Sequence, residues 1–89
     1  MIRHWALGQN ENDRSRKLFR LIKNGGVTFG GYEKGKIYGT LNCKSGKRMK
    51  LENRIFFKDE EEAKEAGYRP CAHCLPAKYK LWKTGIDHQ

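Results

Sequence analysis

Three thiols are the residues best suited to do chemistry. Cys71 and Cys74 flank Ala72 and His73, and at that spacing a tight turn directs both sulfurs at one tetrahedral ion. Cys43 stands well upstream and can join them only through folding. An odd number of cysteines argues against a closed disulfide framework, whereas a reducing compartment leaves thiols available as metal ligands. Redox motifs share the Cys-x-x-Cys spacing, but the βαβ pattern that accompanies them is absent. Three buried thiols acting as small apolar groups are the other alternative. Zinc held by Cys43, Cys71 and Cys74 is the preferred reading. A closed structural site needs four ligands. His73 would have to reach the same ion as both its neighbours, His4 would have to return from the far end of the chain, and His88 lies in the tail. His4, His73, water or no fourth ligand therefore remain open, with an ordinary surface or hydrogen-bonding role as the alternative for each histidine.

Charge suggests the partner. The sequence carries 19 Lys and Arg against 10 Asp and Glu, a formal net charge of +9. Asp59, Glu60, Glu61, Glu62 and Glu65 concentrate half of the acids in one short segment, so the remainder is strongly basic. Such an excess attracts polyanions, nucleic acid first, with DNA favoured, without encoding sequence preference. Lys44, Lys47, Arg48 and Lys50 follow Cys43 closely, Arg69 precedes Cys71, and Arg54 extends the group. These six form the candidate phosphate-facing edge, and a solvated lysine-rich loop is its alternative. Tyr32 and Tyr38 offer stacking on bases or packing against a hairpin.

The elements that must position these groups follow from periodicity. Leu18, Leu21 and Ile22 predict an amphipathic helix over residues 12–24, capped by Asn12 or Asp13 and ended by Gly25. Its Arg14, Arg16, Lys17, Arg20 and Lys23 read as a solvated face. Val27-Thr28-Phe29 and Lys36-Ile37-Tyr38 predict a hairpin across the glycine-rich segment 30–35, and Arg54-Ile55-Phe56-Phe57 a further strand. Residues 44–50 read as an exposed loop. Asp59 and Glu62 have capping-box spacing ahead of a short helix over 60–66, with Gly67 as its stop; the acids there complement the helix dipole and require no cation. Pro76 opens a last helix over 76–84, with Leu75, Tyr79 and Trp82 on one face for core packing or, if exposed, for docking a protein partner.

With 89 residues, 37% hydrophobic and 33% charged, the apolar area available for burial is small and a metal would help hold the fold. The expectation is a single α+β domain over 1–89, with a β-hairpin or three-stranded sheet, short helices and a cysteine turn. No apolar run approaches a membrane span and the first residues lack a secretion signal, so a cytoplasmic, non-membrane protein is expected.

Residues 36–76 resemble the Ada-type zinc-binding domain of DNA-repair proteins. The resemblance rests on Glu61-Glu62-Ala63-Lys64-Glu65-Ala66-Gly67-Tyr68-Arg69-Pro70-Cys71-Ala72-His73-Cys74-Leu75-Pro76, together with Glu52-Asn53-Arg54-Ile55-Phe56-Phe57. It implies zinc held by cysteines and transfer of a methyl group from a DNA phosphotriester to one of them. Cys71 and Cys74 match the family's second ligand pair and Cys43 the later member of the first. Aligning Ile37-Tyr38 with the family's apolar-aromatic pair places Gly39 where the methyl-accepting cysteine belongs. Transfer requires a thiolate there, so methyltransferase activity is not expected. Zinc-dependent nucleic-acid contact is the leading expectation; alkyl acceptance by Cys43 and a structural or protein-interaction role are the alternatives.

Overall fold

The computed structural model describes residues 1–43 and 49–85. Five strands form one mixed sheet in the order β1-β4-β2-β3-β5: β1 (Ile2–Arg3), β2 (Phe29–Tyr32), β3 (Ile37–Thr40), β4 (Arg54–Phe57) and β5 (Arg69–Pro70). All neighbours pair antiparallel except β3 and β5, which run parallel. Three α-helices accompany the sheet: α1 (Glu11–Lys23), α2 (Glu60–Glu65) and α3 (Pro76–Lys83). The α+β class expected from the sequence is observed. The sheet is wider than a hairpin or three strands because two-residue segments from distant parts of the chain add an edge on each side.

Alternation along β4 divides the core. Ile55 and Phe57 point to one face, where they pack with Tyr38, Ala63 and Tyr68; Phe56 points to the other, with Leu7 and Val27. Leu18 and Leu21 of α1 cover the second cluster, while Phe29 and Leu75 flank the first. The Phe57 and Tyr68 rings meet edge to face at 5.0 Å. Tyr38 is fully buried, and its hydroxyl donates to Glu60 Oε2 at 2.8 Å, which Lys78 of α3 also binds. This charge-assisted pair ties α2 and α3 to the buried strand.

Two local features differ from the sequence expectation. The first helix begins earlier than 12: Asn10 is its cap and accepts from the Asp13 amide at 2.9 Å, because extended backbone at Asn10 frees its carboxamide to bond the third helical amide. The β2–β3 hairpin takes in Gly30, Gly31 and Tyr32 as strand instead of turn. A Cβ on Gly31 would lie 2.9 Å from Phe57 Cε2 and 3.0 Å from Ile55 Cγ1; glycine there lets the two core side chains lie directly on the backbone. At the second helix, Asp59 caps as expected, accepting from the Glu62 amide at 2.9 Å. Glu62 in turn accepts from the Lys58 amide, one residue before the reciprocal partner of a standard capping box, and from the Met1 amino group. Gly67, at φ +86°, adopts the left-handed conformation that ends this helix.

Candidate metal centre and adjoining cleft

Parallel pairing of β3 with β5 creates the site. The Cys71 amide donates to the Tyr38 carbonyl at 2.8 Å, so the turn after β5 lies beside the end of β3. Cys71 is buried and Cys74 half-buried on that turn, while Cys43 is half-buried on the bend that follows β3, where its amide donates to the Thr40 carbonyl at 3.2 Å. The three sulfurs lie within 4.8 Å of one another, and those of Cys43 and Cys71 are 3.8 Å apart. A tetrahedral ion with Zn–S bonds of about 2.3 Å separates its sulfurs by about 3.8 Å, so this donor set fits zinc. The Thr40 amide donates to Cys74 Sγ at 3.3 Å and steadies that sulfur. Burial, with the neighbouring thiols adding to it against the Thr40 hydrogen bond, pushes the Cys74 thiol up to about 11. Closely spaced thiols resist ionisation without a cation between them.

Gly39 faces the sulfurs. A Cβ built there would lie 2.6 Å from Cys74 Sγ, 3.2 Å from Cys71 Cβ and 4.0 Å from Cys43 Cβ. The backbone of β3 therefore approaches the cluster more closely than any side-chain-bearing residue permits with Cys74 in this rotamer. Gly30 pairs with Gly39 across the hairpin, and the two glycines leave bare backbone as the floor of a cleft of about 540 Å³. Cys43 and Cys71 line the cleft together with His4, Leu18, Phe56, Arg54 and Arg69. His4 is buried edge-on against Phe56 with ring centroids 5.2 Å apart. Its Nδ1 is enclosed and has no hydrogen-bond partner among the described residues. Burial first, then the positive charges of Arg54 and Arg14, hold His4 below the ordinary histidine pKa and keep it neutral.

Of the residues singled out from sequence, Cys43, Cys71 and Cys74 come together. Arg54 and Arg69 share the cleft they border. Lys50 is exposed just before the 3-10 turn Leu51–Asn53, away from the cleft lining, and Lys44, Lys47, Arg48 and His88 lie outside the described residues. Neither His4 nor the exposed His73 joins the sulfur cluster. Sequence reasoning missed the Thr40 amide and the Gly30 floor, which act through backbone and leave no side-chain signature. It also assigned Tyr79 and Trp82 to core packing. Both are half-buried, stack on each other at 6.0 Å and lie over the Arg69 guanidinium at 5.3 and 5.7 Å. The rings thus serve to hold an arginine, and an aromatic pair three residues apart soon after Arg69 was the available signal.

Comparison with known proteins agrees with this geometry. A family model, the metal binding domain of Ada, matches residues 18–77. The chain belongs to the Ada metal-binding-domain family. The match begins in α1, upstream of the residues that carried the resemblance in sequence, and ends just inside α3. Membership together with the clustered thiols identifies zinc as the cofactor. The chain is also 51% identical to an uncharacterized protein of Methanocaldococcus jannaschii over 41 residues, 45% of this chain and 20% of that protein. It therefore spans about a fifth of that relative's length. No solved structure matches. Among the described residues no helix is long and apolar enough to cross a membrane.

Proposed function

We propose that this Ada-family domain is a zinc-binding module that contacts nucleic acid, DNA favoured, through basic residues beside the metal, and that it does not act as a methyltransferase. Cys43, Cys71 and Cys74 would hold the zinc, which when bound ties the end of β3 to the turn after β5 and keeps the adjoining surface in shape. The carrying observation is that Arg54 and Arg69 line the same cleft that the sulfurs border. Arg69 is positioned by the Tyr79 and Trp82 rings, so little side-chain entropy remains to be lost when it meets a phosphate. In sequence, Lys44, Lys47, Arg48 and Lys50 follow Cys43 closely and would add positive charge near the metal, and an overall charge of +9 supplies long-range attraction. Contacts of this type address phosphates and confer little sequence preference.

The test is a salt titration of binding to duplex DNA, single-stranded DNA and RNA. Affinity should fall steeply with salt, and the triple variant Lys47→Ala, Arg48→Ala, Arg69→Ala should lower the log–log slope by about 0.9 for each duplex phosphate contact removed. Salt-independent binding, or none to any of the three, refutes the reading.

A second reading is favoured by the half-buried position of Cys43 on the cleft wall. Its thiolate would attack the methyl carbon of a phosphotriester, forming an S–C bond and breaking the C–O bond, with the phosphodiester anion leaving. Intact-mass measurement after incubation with methylated DNA separates the two readings. A gain of one methyl group on Cys43 establishes transfer, and an unchanged mass excludes it.

A further inference from the structure

We propose that the zinc centre has an exchangeable fourth coordination position, opposite the Gly39 backbone and reached from the cleft, that accepts a neutral, flat nitrogen donor of the imidazole type. This rests on zinc being held by Cys43, Cys71 and Cys74. Among the described residues no further cysteine, histidine or carboxylate joins the three sulfurs. The position from which a fourth side chain would enter is Gly39, whose Cα–Cβ direction runs into the cluster, 2.6 Å from Cys74 Sγ, yet which carries no side chain. A three-ligand zinc site with an open fourth position is the arrangement that admits an outside ligand, whereas a four-ligand site is closed. Access is provided by the cleft, which runs over Gly30 and Gly39 to Cys43, Cys71 and His73.

Charge selects the class of donor. Three thiolates and one divalent ion leave a net charge of −1 in a half-buried site. An anionic fourth ligand would raise this to −2, at a desolvation cost that a neutral ligand avoids. Phosphate and carboxylate oxygens are therefore disfavoured at the ion itself, and a phosphate in the cleft would meet the Arg54 and Arg69 that line it instead. Shape makes the same selection. The floor of two paired glycines is flat and bare, and the Phe56 ring stands at the wall, so a planar ring enters with little steric opposition.

Cobalt(II) substitution of the full chain provides the test, because its ligand-field band reports coordination and its sulfur-to-cobalt charge-transfer band counts thiolates. One cobalt per chain with thiolate charge transfer verifies the three-cysteine centre on which the inference depends; absence of that band refutes the zinc assignment itself. Imidazole added to the cobalt protein should then shift the ligand-field band saturably while the charge-transfer intensity is retained. Acetate and inorganic phosphate at equal concentration should not. In Gly39→Cys the charge-transfer intensity should rise in proportion to the added thiolate and the imidazole response should vanish, while His4→Ala, His73→Ala and His88→Ala should respond like the parent. A charge-transfer band that is present but unmoved by imidazole overturns the proposal without touching the zinc assignment. A histidine variant that alters the spectrum before imidazole is added also overturns it, since the chain would then supply its own fourth ligand. The parent titration decides the matter even if Gly39→Cys does not fold.

Discussion

His4 shows how one residue can carry a pH dependence. Burial and two neighbouring arginines lower its pKa in the folded state, whereas in the unfolded chain it titrates near the ordinary value of about 6.5. The unfolded state thus takes up the proton first. The stability that His4 contributes is constant above about pH 6.5 and falls as pH drops from there through the folded-state value. Urea midpoints at about pH 7.5 and about pH 5.5 should therefore differ in the parent and differ less in His4→Phe, which keeps the edge contact with Phe56 but does not titrate. An equal difference in the two proteins would assign the effect elsewhere. Gly39 acts at the same scale by subtraction: its missing side chain, not any group it bears, sets the surroundings of the three sulfurs.

At the scale of elements, the short helix α2 depends on its cap. Asp59 satisfies the Glu62 amide, and a six-residue helix has little propagation energy to offset loss of that bond. Asp59→Ala should cost about 1 kcal/mol in chemical denaturation, and Asp59→Asn much less. Both oxygens of Glu60 bind Lys78, and one also accepts from Tyr38. Although burial alone would raise the Glu60 pKa, these hydrogen bonds outweigh it and hold the carboxyl below its ordinary range. The stability it supplies is complete above the ordinary carboxylate value of about 4.3 and is lost as pH falls through the folded-state value. Glu60→Gln should therefore flatten the acid limb of a Tm-against-pH curve; an unchanged limb would refute this. These elements were also the most legible ones. The strand over 54–57 and the Asp59 cap follow from β-branched and aromatic content and from cap spacing, both local signals. The strands β1 and β5 were invisible because two residues contain no periodicity, and they exist only through partners far away in the chain. The start of α1 was misplaced because Asn10, Asn12 and Asp13 are all competent caps and only the backbone conformation selects among them. Gly30 and Gly31 read as turn because glycine is depleted in strands; the proximity of Phe57 and Ile55, which reverses that preference at Gly31, is a tertiary fact. The thiol cluster was legible from spacing plus resemblance, while the cleft beside it, formed by register and bare backbone, was not.

For the whole molecule, zinc should be a principal support. The cysteines join the bend after β3 to the turn after β5, whose two-residue pairing is too short to persist alone. Chelation should lower the Tm by many degrees, and on acidification the loaded protein should take up about three protons more per chain than the stripped one, because the thiolates of Cys43, Cys71 and Cys74 protonate as the metal leaves. Far-UV circular dichroism with and without a chelator, followed by readdition of zinc, checks this. A melting curve indifferent to chelator would show that the two hydrophobic clusters suffice without the metal.

The brevity of β1 and β5 bears on behaviour at high concentration. Each outermost strand of the sheet is only two residues long, and at β5 one of them is Pro70, which has no amide hydrogen to donate. A second molecule arriving edge-on finds almost no ladder to extend, and the strong positive charge repels it before contact. Concentrated solutions should accordingly resist fibrillar aggregation, with long incubation producing no rise in thioflavin fluorescence.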